Sequence, residues 1–503
     1  MLLEALTKSV SEAGSGPRMA IVSDEASLTY EDLLSRTEAL AQRVRGAGIG
    51  PGHVILAYLE NEPAFLVALL ASARVGAAFA PLDIGLTDAE VDAIVRLTGS
   101  DVVLCDAAAS ARCGRFSKNR IAINAAGEVT DLWISGVPAP SLDPQIALMQ
   151  FSSGTTGACK GVLLGHEAVF YRSHYLMRSL GLTSADRTLC TLPLSHTHGA
   201  ECLALPTLMA GGTLFLKSPK FAFPLYILEE IAKHGITFFS SIPQFYDFAV
   251  KMELRESPDI RSLRLPFCGS AALAKTTAES FFAKYGVHIQ QGYGLAELSV
   301  ICLNRHDGER IVYDSIGRPI EGIEWQLASG ETEGELIVRS KAMFSGYIND
   351  EDATREKLRE GWLHTGDVVS VDADGLFRVI GRKEDFIKVN GFKVYAAEVE
   401  TAIIGLDWIQ ECAVLAEKDS LGTERIVAHV VPKEGGAPAG GLEAALIQAL
   451  RSVLSDYKLP KRCVVWPELP KSQLGKINKA KLRTGPSTTD VATERTEKCE
   501  SHR

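Results

Sequence analysis

Residues 151–161, FSSGTTGACKG, combine serines, threonines and glycines with one lysine. Glycines let backbone N–H groups approach a ligand, hydroxyls donate hydrogen bonds, and Lys160 adds positive charge, a combination that suits phosphate. The Walker A pattern G-x-x-x-x-G-K-[ST] does not match, because Cys159 precedes Lys160 and Gly161 follows it. The alternative, a flexible Ser/Gly linker, does not account for the lysine. We therefore predict a phosphate-binding loop of another kind.

Other segments also place glycines, acids and lysines together. They are QGYGLAE at 291–297, HTGD at 364–367, GRKEDFIKVNGFKVYAAEVE from 381, and LPKSQLGKINKAKL at 469–482. Each has an ordinary structural explanation, since turns favour glycine and aspartate, and a carboxylate at a strand end often caps a helix. Taken singly, each segment is better explained by a structural role than by a functional one.

Helical and strand patterns alternate along the first part of the chain. The pattern predicts helices at 30–47, 62–74, 166–180 and 226–234, and strands at 54–58 and in VVLCD, TLCTLPL, GGTLFL and ITFFSSIP. This alternation predicts an α/β fold with parallel sheets covered by helices on both faces.

The pattern changes beyond residue 310. GELIV and LFRVIG predict a small antiparallel β region, and helices at 398–404 and 442–454 predict a compact α/β lobe. A chain of 503 residues exceeds one compact core. We expect a large N-terminal domain of several subdomains over 1–382, a small mobile C-terminal lobe over 383–484, and a disordered polar tail over 485–503.

Composition excludes several classes of protein. A formal charge of −10 argues against nonspecific nucleic-acid binding, which needs a positive surface. The most apolar early segment, residues 64–75, is too short to span a bilayer, and the acidic N-terminus does not resemble a secretory signal. The cysteines form no C-x-x-C pair, so neither a zinc site nor a disulfide framework is indicated. These features predict a cytoplasmic protein.

The order of the segments resembles that of the AMP-forming adenylating superfamily, which includes acyl- and aryl-CoA synthetases, luciferases and adenylation domains. FSSGTTGACKGV resembles its phosphate loop, YGLAE its Y-G-x-T-E segment, and HTGD its T-G-D. GRKEDFIKVNGFKV and PKSQLGKI resemble its two C-terminal motifs. GSAALA at 269–274 and GELIVRSKAMFSGYIND at 334–350 are weaker matches that extend the resemblance to nearly the whole chain. The chain is most similar to a stand-alone acyl- or aryl-CoA ligase.

The resemblance implies a two-step reaction. A carboxylate attacks the α-phosphate of ATP, pyrophosphate leaves, and a thiol captures the acyl-adenylate. The protein mainly positions groups and neutralises charge. The implied phosphate-binding residues are Ser153, Gly154, Thr155, Thr156, Gly157 and Lys160. Glu297 is implied to hold Mg²⁺. Tyr293 and Gly294, with the Gly269, Ser270 and Ala271 turn, are implied to hold adenine, and Asp367 and Arg382 the ribose.

The resemblance also implies a moving C-terminal lobe. Lys476 is expected to reach the carboxylate and α-phosphate oxygens during adenylation. Rotation about a hinge at Glu384 then replaces it with the turn at Lys388, and Gly391 lines the thiol tunnel. A polar, exposed hinge residue absorbs a large backbone change at little packing cost.

This chain departs from the family pattern at a few positions. Cys159 replaces a proline, and Glu384 replaces the commoner aspartate. Ala296 replaces a threonine whose hydroxyl contacts the α-phosphate in the family. Loss of one hydrogen bond to a charged group costs about 1.5–3 kcal/mol, so adenylation is expected to be slower but not abolished. A catalytically impaired nucleotide-binding paralogue is the alternative.

The implied acyl pocket is built by residues 195–201, 238–248, 268–272 and 298–303, and its candidate residues are His196, His198 and Cys268. An α-amino acid is disfavoured, because no aspartate stands near His196. PLSHTHG resembles malonyl-CoA synthetases, but these segments contain no Arg or Lys for a second carboxylate. An aliphatic, alicyclic or aromatic monocarboxylic acid is therefore expected. CoA is the expected acceptor, and a separate carrier protein is the alternative.

Overall fold

The structure is a computed structural model that describes residues 2–12, 18–153, 159–221, 223–306, 311–328, 330–383, 386–389, 392–418, 424–433, 441–471 and 477–482. Its α-helices are α1 (Leu2–Glu12), α2 (Tyr30–Gly46), α3 (Pro63–Val75), α4 (Asp88–Thr98), α5 (Ser110–Cys113), α6 (His166–Leu180), α7 (Thr197–Gly199), α8 (Leu205–Met209), α9 (Pro224–His234), α10 (Pro243–Lys251), α11 (Lys275–Tyr285), α12 (Glu351–Lys357), α13 (Ala396–Ile404), α14 (Leu442–Leu450) and α15 (Lys479–Leu482). A π-helical turn, Ala200–Ala204, joins α7 to α8, and 3₁₀ turns lie at Ala107–Ala109, Pro219–Phe221 and Asp456–Lys458.

The strands are β1 (Met19–Val22), β2 (Ser27–Thr29), β3 (Val54–Tyr58), β4 (Ala78–Pro81), β5 (Val102–Asp106), β6 (Asn119–Ile123), β7 (Val129–Trp133), β8 (Ile146–Ser153), β9 (Cys159–Gly165), β10 (Arg187–Cys190), β11 (Thr213–Leu216), β12 (Phe238–Ser241), β13 (Leu265–Cys268), β14 (Gln290–Leu295), β15 (Ser299–Asn304), β16 (Arg318–Pro319), β17 (Glu324–Leu327), β18 (Glu333–Arg339), β19 (Gly346–Tyr347), β20 (Leu358–Arg359), β21 (Trp362–Val371), β22 (Phe377–Arg382), β23 (Phe386–Val389), β24 (Phe392–Tyr395), β25 (Ile409–Lys418), β26 (Glu424–Pro432) and β27 (Arg462–Val465).

Two large sheets form the first part of the fold. One has the strand order β16-β15-β14-β13-β12-β10-β11-β1-β2, and the other has the order β19-β9-β8-β4-β3-β5-β6-β7. Their inner strands are parallel, with antiparallel strands at the edges. This confirms the predicted α/β class with parallel sheets and helices.

Local sequence explains where the helices begin and end. Thr29 and Asp32 form a capping box at the start of α2, whose buried residues recur at helical spacing. Pro63 begins α3, which is buried on nearly all sides, and Gly76 ends it in the left-handed conformation. The predicted helix at 166–180 matches α6, whereas the predicted helix at 442–454 ends earlier, at Leu450. No helix of the described ranges is long and apolar enough to cross a membrane.

The later elements form smaller sheets. Strands β17, β18, β20, β21 and β22 make the antiparallel region expected after residue 310. Strands β25, β26 and β27 make a separate sheet whose core packs against α13 and α14. Sheet membership changes between Arg382, which ends β22, and Phe386, which begins β23. The domain boundary at 382 falls at this change and stays a prediction, and the tail at 485–503 lies outside the described residues.

Candidate functional site

The predicted phosphate loop connects two paired strands. Strands β8 and β9 are antiparallel, and Ser152 pairs with Lys160 at their end. A Cβ at Gly161 would lie 2.7 Å from the Ile348 side chain, so a larger residue there would force that side chain or β9 to shift. Ser153 ends β8, and the predicted residues Gly154, Thr155, Thr156 and Gly157 lie outside the described residues. The strand pair therefore fixes the base of the loop and the position of Lys160.

Lys160 and Glu297 meet around one tyrosine. The Lys160 Nζ lies 5.1 Å from the ring centroid of Tyr347 and 3.7 Å from Asp350 Oδ2. The Tyr347 hydroxyl donates a hydrogen bond to Glu297 Oε1. Burial raises the pKa of Tyr347, so its hydroxyl keeps the proton that it donates. The structure thus adds Tyr347 and Asp350 to the predicted site, and their signal was the weak family match at 334–350.

The chemistry of Glu297 fits a magnesium ion. Glu297 lies in the turn between β14 and β15, and its backbone oxygen accepts a hydrogen bond of 2.7 Å from Phe344 N. Tyr347 engages one carboxylate oxygen, which orients the other. The described residues contain no group of three or more His, Cys, Asp or Glu side chains around a metal position. A single hard carboxylate suits Mg²⁺, which keeps several waters and binds substrate phosphates.

The predicted nucleotide residues Tyr293, Asp367 and Arg382 are in contact. Asp367 and Arg382 are cross-strand neighbours on β21 and β22, with Arg382 Nε 2.7 Å from Asp367 Oδ1. The Tyr293 hydroxyl donates a hydrogen bond of 2.5 Å to Asp367 Oδ2. Burial raises the pKa of Asp367, and the Arg382 charge and the Tyr293 hydroxyl oppose that rise. The carboxylate is therefore held in one orientation by both neighbours.

His198 packs against the turn that follows β13. Its Nδ1 lies 3.1 Å from Ser270 Oγ, and its Nε2 lies 2.6 Å from Ser240 Oγ. A Cβ at Gly269 would lie 3.1 Å from the imidazole, and Ser270 has a left-handed φ of 68°. Burial lowers the pKa of His198 to about 4, so the ring is neutral at pH 7. Ala271 continues this turn, which brings the predicted nucleotide and acyl residues together.

The other two predicted pocket residues have different surroundings. His196 Nε2 lies 3.1 Å from Asp83 Oδ2, and this hydrogen bond is the main cause that lowers the pKa of Asp83. Asp83 follows β4, in the stretch AAFAPLD, and no motif in that stretch predicted its contact with His196. Cys268 is buried at the end of β13, and burial raises the pKa of its thiol. The Cys268 thiol is thus protonated and buried, and its place in the acyl pocket stays a prediction.

A charged residue of α6 contacts one of the predicted pocket segments. Arg172 pairs with Glu201, and both side chains are fully buried. The pocket segments contain no Arg or Lys of their own, so the pairing of Arg172 with Glu201 could not be read from their sequence.

The C-terminal residues are only partly described. Lys388 is exposed on β23, and its backbone N–H donates to Glu424 Oε2 at 2.8 Å. Glu384, Gly391 and Lys476 lie outside the described residues. Gly294, in β14, approaches the next strand closely, since a Cβ there would lie 2.0 Å from the Ser299 carbonyl oxygen.

Comparison with known proteins identifies one enzyme family over most of the chain. The AMP-binding enzyme family matches residues 10–348, and the AMP-binding enzyme C-terminal domain matches residues 398–476. The feruloyl-CoA synthase of Amycolatopsis sp is 32% identical over 467 residues, covering 91% of this chain and 93% of the relative. The 4-coumarate–CoA ligase 3 of Oryza sativa subsp. japonica is 28% identical over 503 residues, covering 94% and 90%.

A solved structure has the same fold. The crystal structure of ATP-bound MatB from Rhodopseudomonas palustris superposes with a TM-score of 0.83 at 25% identity, covering 95% of this chain and 98% of the other. The predicted superfamily resemblance is therefore confirmed. The chain belongs to the AMP-binding enzyme family, as an AMP-forming acid–CoA ligase that uses ATP and CoA.

Proposed function

We propose that the acid activated by this ligase is an aromatic monocarboxylic acid. The observation that carries the proposal is the neutralisation of the buried Glu201 charge by Arg172. The charge that segment 195–201 contributes, on Glu201, is neutralised by Arg172, and the neutral His198 adds none. A second carboxylate on the substrate would be buried beside these segments without a free cation to pair with it, which is costly. Relatives named for ferulate and 4-coumarate support an aromatic acid.

The residues around Lys160 serve the adenylation step in this proposal. The acid carboxylate attacks the α-phosphorus of ATP, and the bond to pyrophosphate breaks. Lys160 and the loop after Ser153 neutralise the departing pyrophosphate. Glu297, oriented by Tyr347, holds Mg²⁺, which supplies positive charge to the phosphates when bound. Asp367 accepts hydrogen bonds from the ribose, Tyr293 and the 269–271 turn hold adenine, and Lys476 contacts the reacting oxygens.

The thioester step uses the same bound acyl-adenylate. The thiol of CoA loses its proton and attacks the acyl carbon, and AMP leaves. We propose that the lobe from residue 383 rotates about Glu384 between the two steps, so that Lys388 and Gly391 replace Lys476. Transfer to a carrier protein is the second candidate for this step, and the identity of the thioester product separates the two.

The first experiment measures exchange of labelled pyrophosphate into ATP. We expect exchange with 4-coumarate, ferulate and benzoate, and little with malonate, octanoate or phenylalanine. Lys476→Ala should lower the exchange rate on the order of 10²- to 10³-fold, because it removes a charge that stabilises the transition state. Lys461→Ala, an exposed lysine on the same lobe, is the matched control. Measurable ATP binding without exchange for any acid would contradict the ligase and favour an impaired paralogue.

A further inference from the structure

A buried ion pair connects several segments around the acyl pocket. Arg172 of α6 and Glu201 of the π-helical turn lie 2.9 Å apart, measured from Arg172 Nη1 to Glu201 Oε2, and both side chains are 0% exposed. Arg172 Nε donates to the Ala342 carbonyl at 2.9 Å, and Gln150 Nε2 donates to Glu201 Oε1 at 3.2 Å. The pair is therefore held in a fixed position and is electrically neutral as a unit.

One nitrogen of this guanidinium has no acceptor. Arg172 Nη2 is buried from solvent and finds no hydrogen-bond partner among the residues that the structure describes. An unpaired buried donor costs about 1–3 kcal/mol, and more when the group is charged. The Nη2 group of Arg172 thus lacks an acceptor among the described residues, and an oxygen of a bound ligand would supply one.

The position of the pair indicates where that acceptor comes from. Glu201 ends the pocket segment that carries His198, and the adjacent Cys202 Sγ lies 3.5 Å from Ser299 Oγ. Ser299 belongs to another predicted pocket segment, 298–303, which follows Glu297. Arg172 is therefore paired with the residue next to the contact between two predicted pocket segments.

We propose that Arg172 is a specificity-determining residue that donates a hydrogen bond to a neutral oxygen on the ring of the acid. This inference rests on the proposed function, because it takes the acid to be aromatic and bound between these segments. A hydroxyl, methoxy or carbonyl oxygen supplies the acceptor without adding charge. A second carboxylate would leave the buried Arg172 and Glu201 with a net negative charge, which is unfavourable.

The test compares acids that differ by one oxygen. The ratio of kcat/KM for 4-coumarate to that for cinnamate in pyrophosphate exchange should be about 10 to 100 in the wild-type enzyme, the range that corresponds to the cost of an unpaired donor. 4-Carboxycinnamate should be a poorer substrate than either acid. A ratio near one in the wild type would overturn the inference and leave the proposed function intact.

The variant Arg172→Met with Glu201→Leu removes both charges, which avoids an unpaired buried carboxylate and keeps apolar volume. In this double variant the ratio of kcat/KM for 4-coumarate to that for cinnamate should fall to near one. The change should come from a lower kcat/KM for 4-coumarate. Arg178→Ala, on the same helix and paired with the exposed Glu321, is the matched control and should keep the wild-type ratio. An unchanged ratio in the double variant, or equal losses on both acids with a folded protein, would contradict the role of Arg172.

A separate single variant tests the same role if the double variant does not fold. Arg172→Lys keeps a positive charge near Glu201 but lacks the second terminal nitrogen, so its ratio should also fall. If the wild type activates acids of another class and no aromatic acid, the proposed function and this inference both fail.

Discussion

At the scale of single residues, two histidines of one short segment have different electrostatic surroundings. His196 pairs with the carboxylate of Asp83, whereas His198 is bonded to the hydroxyls of Ser240 and Ser270. Without a carboxylate partner, burial dominates and lowers the pKa of His198 to about 4. His198 is thus a neutral hydrogen-bonding group beside the 269–271 turn.

This pKa predicts a pH dependence of stability. The unfolded His198 takes up a proton near pH 6.5, but the folded one does so only near pH 4. Between these values the unfolded state binds more protons, so the free energy of unfolding falls as pH falls. The free energy of unfolding is measured by urea denaturation at pH 7 and at pH 5. We expect it to fall less from pH 7 to pH 5 in His198→Gln than in the wild type. Equal losses in both proteins would contradict the lowered pKa.

At the scale of elements, the hairpin of β14 and β15 positions much of the site. It carries Tyr293 on one strand and Glu297 in its turn, and it joins the parallel strands through β13. The register shifts between Tyr293 and Gly294, where the strands approach so closely that a Cβ at 294 would lie 2.0 Å from the Ser299 oxygen. Glycine is therefore needed for the turn that presents Glu297.

Substitution of that glycine should affect both folding and catalysis. In Gly294→Ala the added Cβ meets backbone, which cannot move as a side-chain end can, so we expect a loss of about 1–3 kcal/mol in unfolding free energy. The pyrophosphate exchange rate should fall as well, since Glu297 shifts.

The matched control is Gly46→Ala. Gly46 is the last residue of α2, and no atom lies within 4 Å of the added Cβ. Alanine there should leave stability unchanged or raise it by up to about 1 kcal/mol. Chemical denaturation measures the free energy of unfolding of Gly294→Ala and Gly46→Ala. Equal changes in the two variants would contradict the steric argument.

At the scale of the whole molecule, the chain passes from one set of sheets to another over a few residues. Lys383 is the last described residue before the change, and it is anchored on both its backbone and its side chain. Its N–H donates to the Gly366 carbonyl at 2.7 Å, and its Nζ lies 2.7 Å from Glu335 Oε2. The predicted hinge at Glu384 follows this anchor directly, so a backbone rotation there would move the C-terminal lobe alone.

A proline at the hinge tests this movement. Glu384→Pro restricts φ, so we expect pyrophosphate exchange to persist and formation of the CoA thioester to fall by at least about tenfold. Glu384→Ala, which leaves φ unrestricted, should support both reactions. The two rates are measured on the same preparations, and parallel loss of both in the proline variant would contradict a hinge at this residue.

Local sequence by itself determined much of the protein. The alternation of strands and helices gave the α/β class, and α2, α3 and α6 follow from spacing, caps and glycines within a few residues. The order of the motifs predicted the adenylating family, because each motif is a short stretch whose chemistry is local.

Only the tertiary structure decided which of these residues touch. Tyr347 and Glu297 are 50 residues apart in sequence, His196 and Asp83 are 113 apart, and Arg172 and Glu201 are 29 apart. No local pattern encodes such pairs, because they depend on how distant segments pack around a common core. The burial that makes His198 neutral and encloses the Arg172–Glu201 pair likewise arises only when the sheets and helices come together.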